Sequence, residues 1–268
     1  MAAKAGYARR YFRIRVLRTT RLLTLLLVLL PVEAISWPGA VLESSADNTL
    51  YLSEPDQGPS QNELSNGSGW FLFSGRTGLD GGFRPRRALL RFDLSTIPEG
   101  SEILYAELVL YQSNSAPGSP PSVMTLHRVL QAWGEGGSDA VGPEGQGALA
   151  DAGDATWISR IYGDEKWEVP GGHYHDAISA AATVGSFEGQ HTWPCSQTML
   201  DDLNGWISQP EENFGWVLIG AESGGMNAHR FNSREHFSPD TRPQLILVYA
   251  PPGILQSDGF ESEVTCQP

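Results

Sequence analysis

Most side chains that could do chemistry lie between residues 150 and 176. In His173-Tyr174-His175, an extended backbone puts both imidazoles on one face at a spacing that a metal could use. Asp151, Asp154, Asp164 and Glu165, just upstream, offer the oxygen ligands that calcium takes. The candidate metal residues are therefore Asp151, Asp154, His173 and His175, with calcium as the ion the carboxylates would favour. Solvated loop acids and ordinary surface or core histidines are the competing reading, since spacing places no third ligand. Trp157, Tyr162, Trp167, Tyr174 and Trp193 are dense from this region up to residue 193. Aromatic faces stack on the apolar faces of sugar rings, and Arg160 and Lys166 among them could meet a uronate carboxylate. Trp157 is expected in the core, whereas Trp167 and Tyr174, flanked by charge and glycine, are expected at the surface. Arg84, Arg86, Arg87 and Arg91 form a basic cluster that could hold a polyanion or neutralise nearby carboxylates.

Nucleophilic catalysis has no visible machinery. Gly67-Ser68-Gly69 and Glu222-Ser223-Gly224 lack the G-x-S-x-G frame and its strand-to-helix setting. No pair of acids sits in a recognisable glycosidase motif. The expectation is a protein that is not an enzyme. Arg234-Glu235 reads as a structural ion pair near the last strand.

The elements that must position these residues are mainly strands. In Arg87–Tyr111, Ala88, Leu90, Phe92 and Leu94 alternate with Arg87, Arg91 and Asp93, and Leu89 alone breaks the pattern. Leu104, Ala106, Leu108 and Leu110 alternate with Tyr105, Glu107, Val109 and Tyr111. Ser95 to Ser101, with Pro98 and Gly100, allows the chain to reverse between the two runs, which predicts a central hairpin. Further strands are expected at 41–52, 70–73, 123–133, 215–222 and 244–249, with a long surface loop at 134–154. Met199, Leu200, Leu203, Trp206 and Ile207 recur at helical spacing, with Ser196 or Thr198 as the cap and Pro210 beyond the end. One domain over residues 41–250 is expected, followed by a flexible tail at 251–268.

Residues 1–36 read as an export signal: a basic start, an apolar run from Leu22 to Val32, and small residues at Ala34 and Ser36. The run is too short to span a bilayer comfortably, so no stable membrane span is expected in the mature chain. The first 36 residues hold seven of the chain's 18 basic residues and one of its 31 acids, leaving 11 against 30, a charge of −19. Such a field repels nucleic acid, which is excluded as a partner. A secreted or cell-surface location follows, with the periplasm as the alternative. In an oxidising compartment Cys195 and Cys266 can pair; two free thiols are the other reading.

RALLRFDLSTIPEGSEILYAELVLY at 87–111, Ala-Thr-Trp at 155–157, Trp-Glu-Val-Pro-Gly-Gly at 167–172, Asn-Phe-Gly-Trp at 213–216, and FNSREH with RPQLILVY at 231–249 together resemble the DNRLRE domain. That family is related to disaggregatase repeats and carbohydrate-binding modules. The resemblance implies an all-β, jelly-roll-like antiparallel β-sandwich of secreted bacterial proteins, here with one short helix. For some relatives it implies polysaccharide ligands, acidic polymers such as alginate among them, and it implies no catalysis. Relatives tend to carry an aspartate where this chain has His173, which would alter the metal preference of any site there. Ser257-Asp258-Gly259-Phe260-Glu261-Ser262 resembles a short ending seen on secreted proteobacterial proteins, without its usual continuation to a tryptophan. The functional expectation is a non-catalytic module that binds extracellular polysaccharide, and the alternative is a structural or adhesion module with no sugar site.

Overall fold

The computed structural model describes residues 37–52, 63–253 and 266. The targeting segment expected at 1–36, and most of the tail with its Asp-Gly-Phe-Glu-Ser stretch, lie outside the described residues. In chain order the strands are β1 (Gly39–Tyr51), β2 (Leu64–Ser65), β3 (Phe71–Arg76), β4 (Pro85–Phe92), β5 (Glu102–Ser115), β6 (Ser122–Arg128) and β7 (Ala148–Leu149). They continue with β8 (Ser159–Ile161), β9 (Glu165–Lys166), β10 (Ala180–Val184), β11 (Gly189–Trp193), β12 (Trp216–Ile219), β13 (His229–Asn232) and β14 (Gln244–Ala250). One α-helix, α1 (Gln197–Ser208), interrupts the series. The fold is all-β and antiparallel.

Two layers face each other, β14-β5-β13 with β11 on β5, and β4-β12-β6-β10. They are not separate sheets. Gly39–Glu43 of β1 pair with β14; from Ser44 the rest of β1 pairs with β4, with a register shift between Ser44 and Ala46. β3 crosses likewise, with Phe71–Ser74 on β13 and Gly75–Arg76 on β4. The result is a flattened barrel closed by two shared strands rather than an open sandwich. Gly75 sits at one corner with φ +105°, where a Cβ would come within 2.7 Å of the Asn227 carbonyl oxygen, so the bend requires glycine.

The expected hairpin does not form. β4 pairs with β1, β12 and β3, whereas β5 pairs with β14, β11 and β13. The turn at 93–101 carries the chain from one layer to the other, closed by Ile97 N donating to Leu94 O and Ser101 N to Pro98 O. Ala88, Leu90 and Phe92 then share the inter-layer core with Ala106, Leu108 and Leu110. Alternation identifies a dry face, but two runs with dry faces can meet across a core as well as edge to edge.

A second core explains Leu89. It lies on the outer face of β4 yet is fully buried with Leu50, Val217, Val129, Trp133, Trp157 and Trp167. The loops of residues 129–175 cover this face. Ser138, Glu144 and Asp154 within the expected surface loop are buried, because their polar groups bond to backbone and side chains there. Helix α1 starts where the spacing predicts, with Ser196 Oγ accepting from Met199 N at 3.1 Å. The Asn204 side chain accepts from Ile103 N at 2.8 Å, tying the helix to β5. A disulfide joins Cys195, just before the helix, to Cys266, with Cα atoms 5.2 Å apart. Among the described residues no helix is long and apolar enough to cross a membrane.

Leu89→Ala is expected to cost about 2–5 kcal/mol in denaturant unfolding, the range for a truncated core leucine. A loss below about 0.5 kcal/mol, typical of an exposed position, would show that the outer face of β4 is not a core.

Candidate functional site

The residues expected to bind ligand are largely spent on structure. Arg86 is 3% exposed; its Nη1 donates to the carbonyls of Leu52 and Pro85 at 3.0 Å, and its guanidinium lies 4.8 Å from the Tyr51 ring centroid. Burial lowers its pKa to about 10. Arg87 pairs with Glu222 at 2.6 Å and packs over Trp157, while Arg91 packs over Trp133. Arg87 and Arg91 thus roof the second core, while Arg86 is buried against Tyr51. Arg84 is half-buried just before β4. Trp167, expected at the surface, is 4% exposed, with its indole N–H donating to Thr156 O at 2.9 Å, because the apolar outer face of β4 and β12 needs a cover. Arg160 donates to Ala132 O at 2.7 Å and pairs with Glu165. Lys166 is exposed, and Tyr174 is half-buried beside Arg87 and the His127 ring. Trp157 is in the core as expected.

The expected metal residues do not converge either. Asp154 is fully buried, and its two carboxylate oxygens accept from Ser138 N and Asp151 N, while Asp151 is exposed. His173 lies 3.3 Å from Glu168, and the ring Nδ1 of exposed His175 accepts from Ala177 N. Among the described residues, these four are not in the group whose ligand atoms converge.

Among the described residues, the acidic group whose ligand atoms all lie within 4.8 Å of one another is Asp47, Glu135 and Glu235. Arg234 stands inside it, donating to Glu135 at 3.0 Å and Glu235 at 2.8 Å, so the expected Arg234–Glu235 pair is present in a larger network. Asp47 N donates to Glu135 at 2.8 Å, and Asp47 accepts from Arg234 N at 2.9 Å. Burial, then the Glu235 charge, raises the Asp47 pKa well above the usual range. Burial also pushes Glu235 up to about 7, with Glu135 adding to the rise and Arg234 opposing it. Three carboxylates around one guanidinium are over-charged when all are ionised, and a shared proton relieves them. Asp47 and Glu135 carry no sequence signal for this role, since they come from segments far apart in the chain.

A groove lies on the outer face of β3 and β13. Leu72 of β3 and Phe231 of β13 point into the inter-layer core, so Phe71, Phe73 and Arg230, one residue along, point the other way. A series of rings leads along this face. Trp70 (49% exposed) and Phe237 (70% exposed) have centroids 5.6 Å apart; Phe237 lies 4.3 Å from His236, and His236 5.6 Å from Phe71. The Arg230 guanidinium sits 3.8 Å from the Phe71 centroid, and its Nε donates to Ser113 Oγ at 3.1 Å. Among the described residues Arg230 has no carboxylate within ion-pairing distance. Beyond it opens a cavity of about 600 Å³, whose walls include Phe73, Leu79, Asn114, Met226 and Arg230.

Glu144 holds both ends of the groove. Its carboxylate accepts from Phe71 N at 2.9 Å, Trp70 N at 3.2 Å and Asn66 Nδ2 at 2.8 Å, while Pro143 and Gly145 on either side of it line the cavity. Glu144 takes φ +61°, a left-handed conformation costly for a side-chain-bearing residue, and these bonds together with Tyr51 Oη donating to its carbonyl oxygen hold it there. The one sequence signal for the groove was Trp70-Phe71-Leu72-Phe73, where aromatic residues occupy both alternation faces. No family model matches the chain, and no curated protein matches it.

The acidic cluster makes stability depend on pH. The Glu235 pKa rises from 4.5 to about 7 on folding, so between those values the folded chain keeps a proton that the unfolded chain has released. Stability is therefore full on the acid side and lost as pH rises through 7. The melting temperature is expected to fall by several degrees from pH 5 to pH 8, and Glu235→Gln to flatten that fall. An unchanged slope in the variant would exclude Glu235 as its source.

Proposed function

We propose that the protein is a non-catalytic, extracellular module that binds polysaccharide, and acidic polysaccharide in particular. The observation that carries this reading is the ring series from Trp70 and Phe237 through His236 and Phe71 to Arg230. Sugar rings present an apolar face that stacks on exposed aromatics, and Trp70 and Phe237 are two large aromatic side chains left in water side by side. Arg230 makes no ion-pair contact among the described residues, although Glu144 and Glu188 act on its charge from farther off, so its guanidinium is open to a charge-assisted hydrogen bond with a uronate carboxylate. The acidic balance of the chain makes such a cation selective, because a polyanion is repelled by an acidic surface at large and gains at a cation beside stacking rings. The resemblance to the DNRLRE domain points the same way.

Affinity electrophoresis in alginate, pectin and neutral glucans tests this. Retardation is expected in the acidic gels. Trp70→Ala should weaken it roughly tenfold, as for loss of one stacked aromatic, and Arg230→Gln should abolish the preference for acidic over neutral polymers. Unretarded migration in every gel would sink the proposal and favour a structural or adhesion module.

A further inference from the structure

The cavity beyond Arg230 is of a different character from the ring series that leads to it. Stacking on Trp70, Phe237 and Phe71 needs only an open surface, yet the groove ends in a recess of about 600 Å³, within the size range of small-molecule sites. Its walls are mainly apolar, with Phe73, Pro117 and Pro143 among them. Leu79 at 75% and Met226 at 36% exposure stand in water at this recess. Thr77, Ser115, Gln146 and His229 supply polar groups to the lesser part of the wall, so an occupant with an apolar end fits the recess better than a fully hydroxylated sugar ring. An ester-linked acyl group is such an occupant: its methyl end removes apolar surface from water, and its carbonyl can accept from an amide. Asn114 supplies that amide; its Oδ1 is occupied by Ser115 N, leaving the amide N–H groups as its contribution to the wall. Arg230 belongs to both the cavity wall and the ring series, so one residue of a chain could place its carboxylate there while its substituent enters the recess.

We propose that this cavity is a subsite for an O-acylated sugar residue, so that the protein prefers acetylated over unacetylated acidic polysaccharide. This rests on the polysaccharide reading above and adds the substituent. The probes are O-acetylated bacterial alginate and the same alginate after saponification, which removes the acetyl groups and leaves the polymer otherwise unchanged. Dissociation constants are measured for the full chain by affinity electrophoresis. The acetylated polymer is expected to bind at least about fourfold tighter, the factor that burial of one methyl group supplies. Ala228→Phe, which adds bulk at the cavity wall, should erase the difference, whereas Trp70→Ala should weaken both forms alike. Should Ala228→Phe melt early, Met226→Asn at the exposed rim serves in its place and should reduce the difference. Equal affinity for the two forms, or tighter binding of the saponified one, overturns the acyl subsite and leaves the polysaccharide reading intact. Failure to bind either form overturns both.

Discussion

Closure of the sheet by β1 is the constraint on which the rest of the molecule depends. A strand that stayed in one layer would leave two edges with unpaired backbone groups, each a template for another chain. β1 instead gives its first five residues to β14 and the remainder, from Ser44 with a register shift before Ala46, to β4. β3 repeats the manoeuvre at Gly75, where only glycine accommodates both the positive φ and the approach of Asn227. Because β3 must turn this corner, its outer-face rings are brought beside the cavity and the groove has its shape.

The second layer is apolar on both sides, and that decides the fate of the loops. Leu50, Leu89 and Val217 on its outer face have to be covered, and the covering is made from residues 129–175. Burying Trp157 and Trp167 there at roughly 25 cal/mol per Å² outweighs any gain from leaving them free for a ligand. Arg87 and Arg91 of β4 lie over tryptophan rings, Arg87 also pairing with Glu222, and Arg86 is buried against Tyr51 with its head bonded to carbonyls, so a stretch that reads as a polyanion site is mostly structural.

The exposed chemistry therefore falls to the opposite layer. Glu144 links the two halves of the groove through backbone N–H groups, which lets a loop without periodicity hold a wall in place. The acidic cluster around Arg234 sits one residue from His236, a member of the ring series, and its protonation couples the stability of this end of the barrel to pH.

The local pattern of the chain was enough to establish the all-β class, the dry faces of β4 and β5, and the capped helix. Each of these follows from periodicity or from a short-range hydrogen bond such as Ser196 to Met199. The cysteines could be named as a pair because there were only two, and their joining is seen in the structure. Leu89 marked the second core as an exception to alternation, but nothing local said what would cover it. Strand pairing was out of reach: the 87–111 segment has the pattern of a hairpin and of a crossing between layers alike, and long-range closure chooses between them. The same holds for the site. Trp70, Glu144 and the stretch from Arg230 to Phe237 are remote from one another in sequence and carry no shared motif, so their meeting is a product of register and burial, which depend on every other strand being in place.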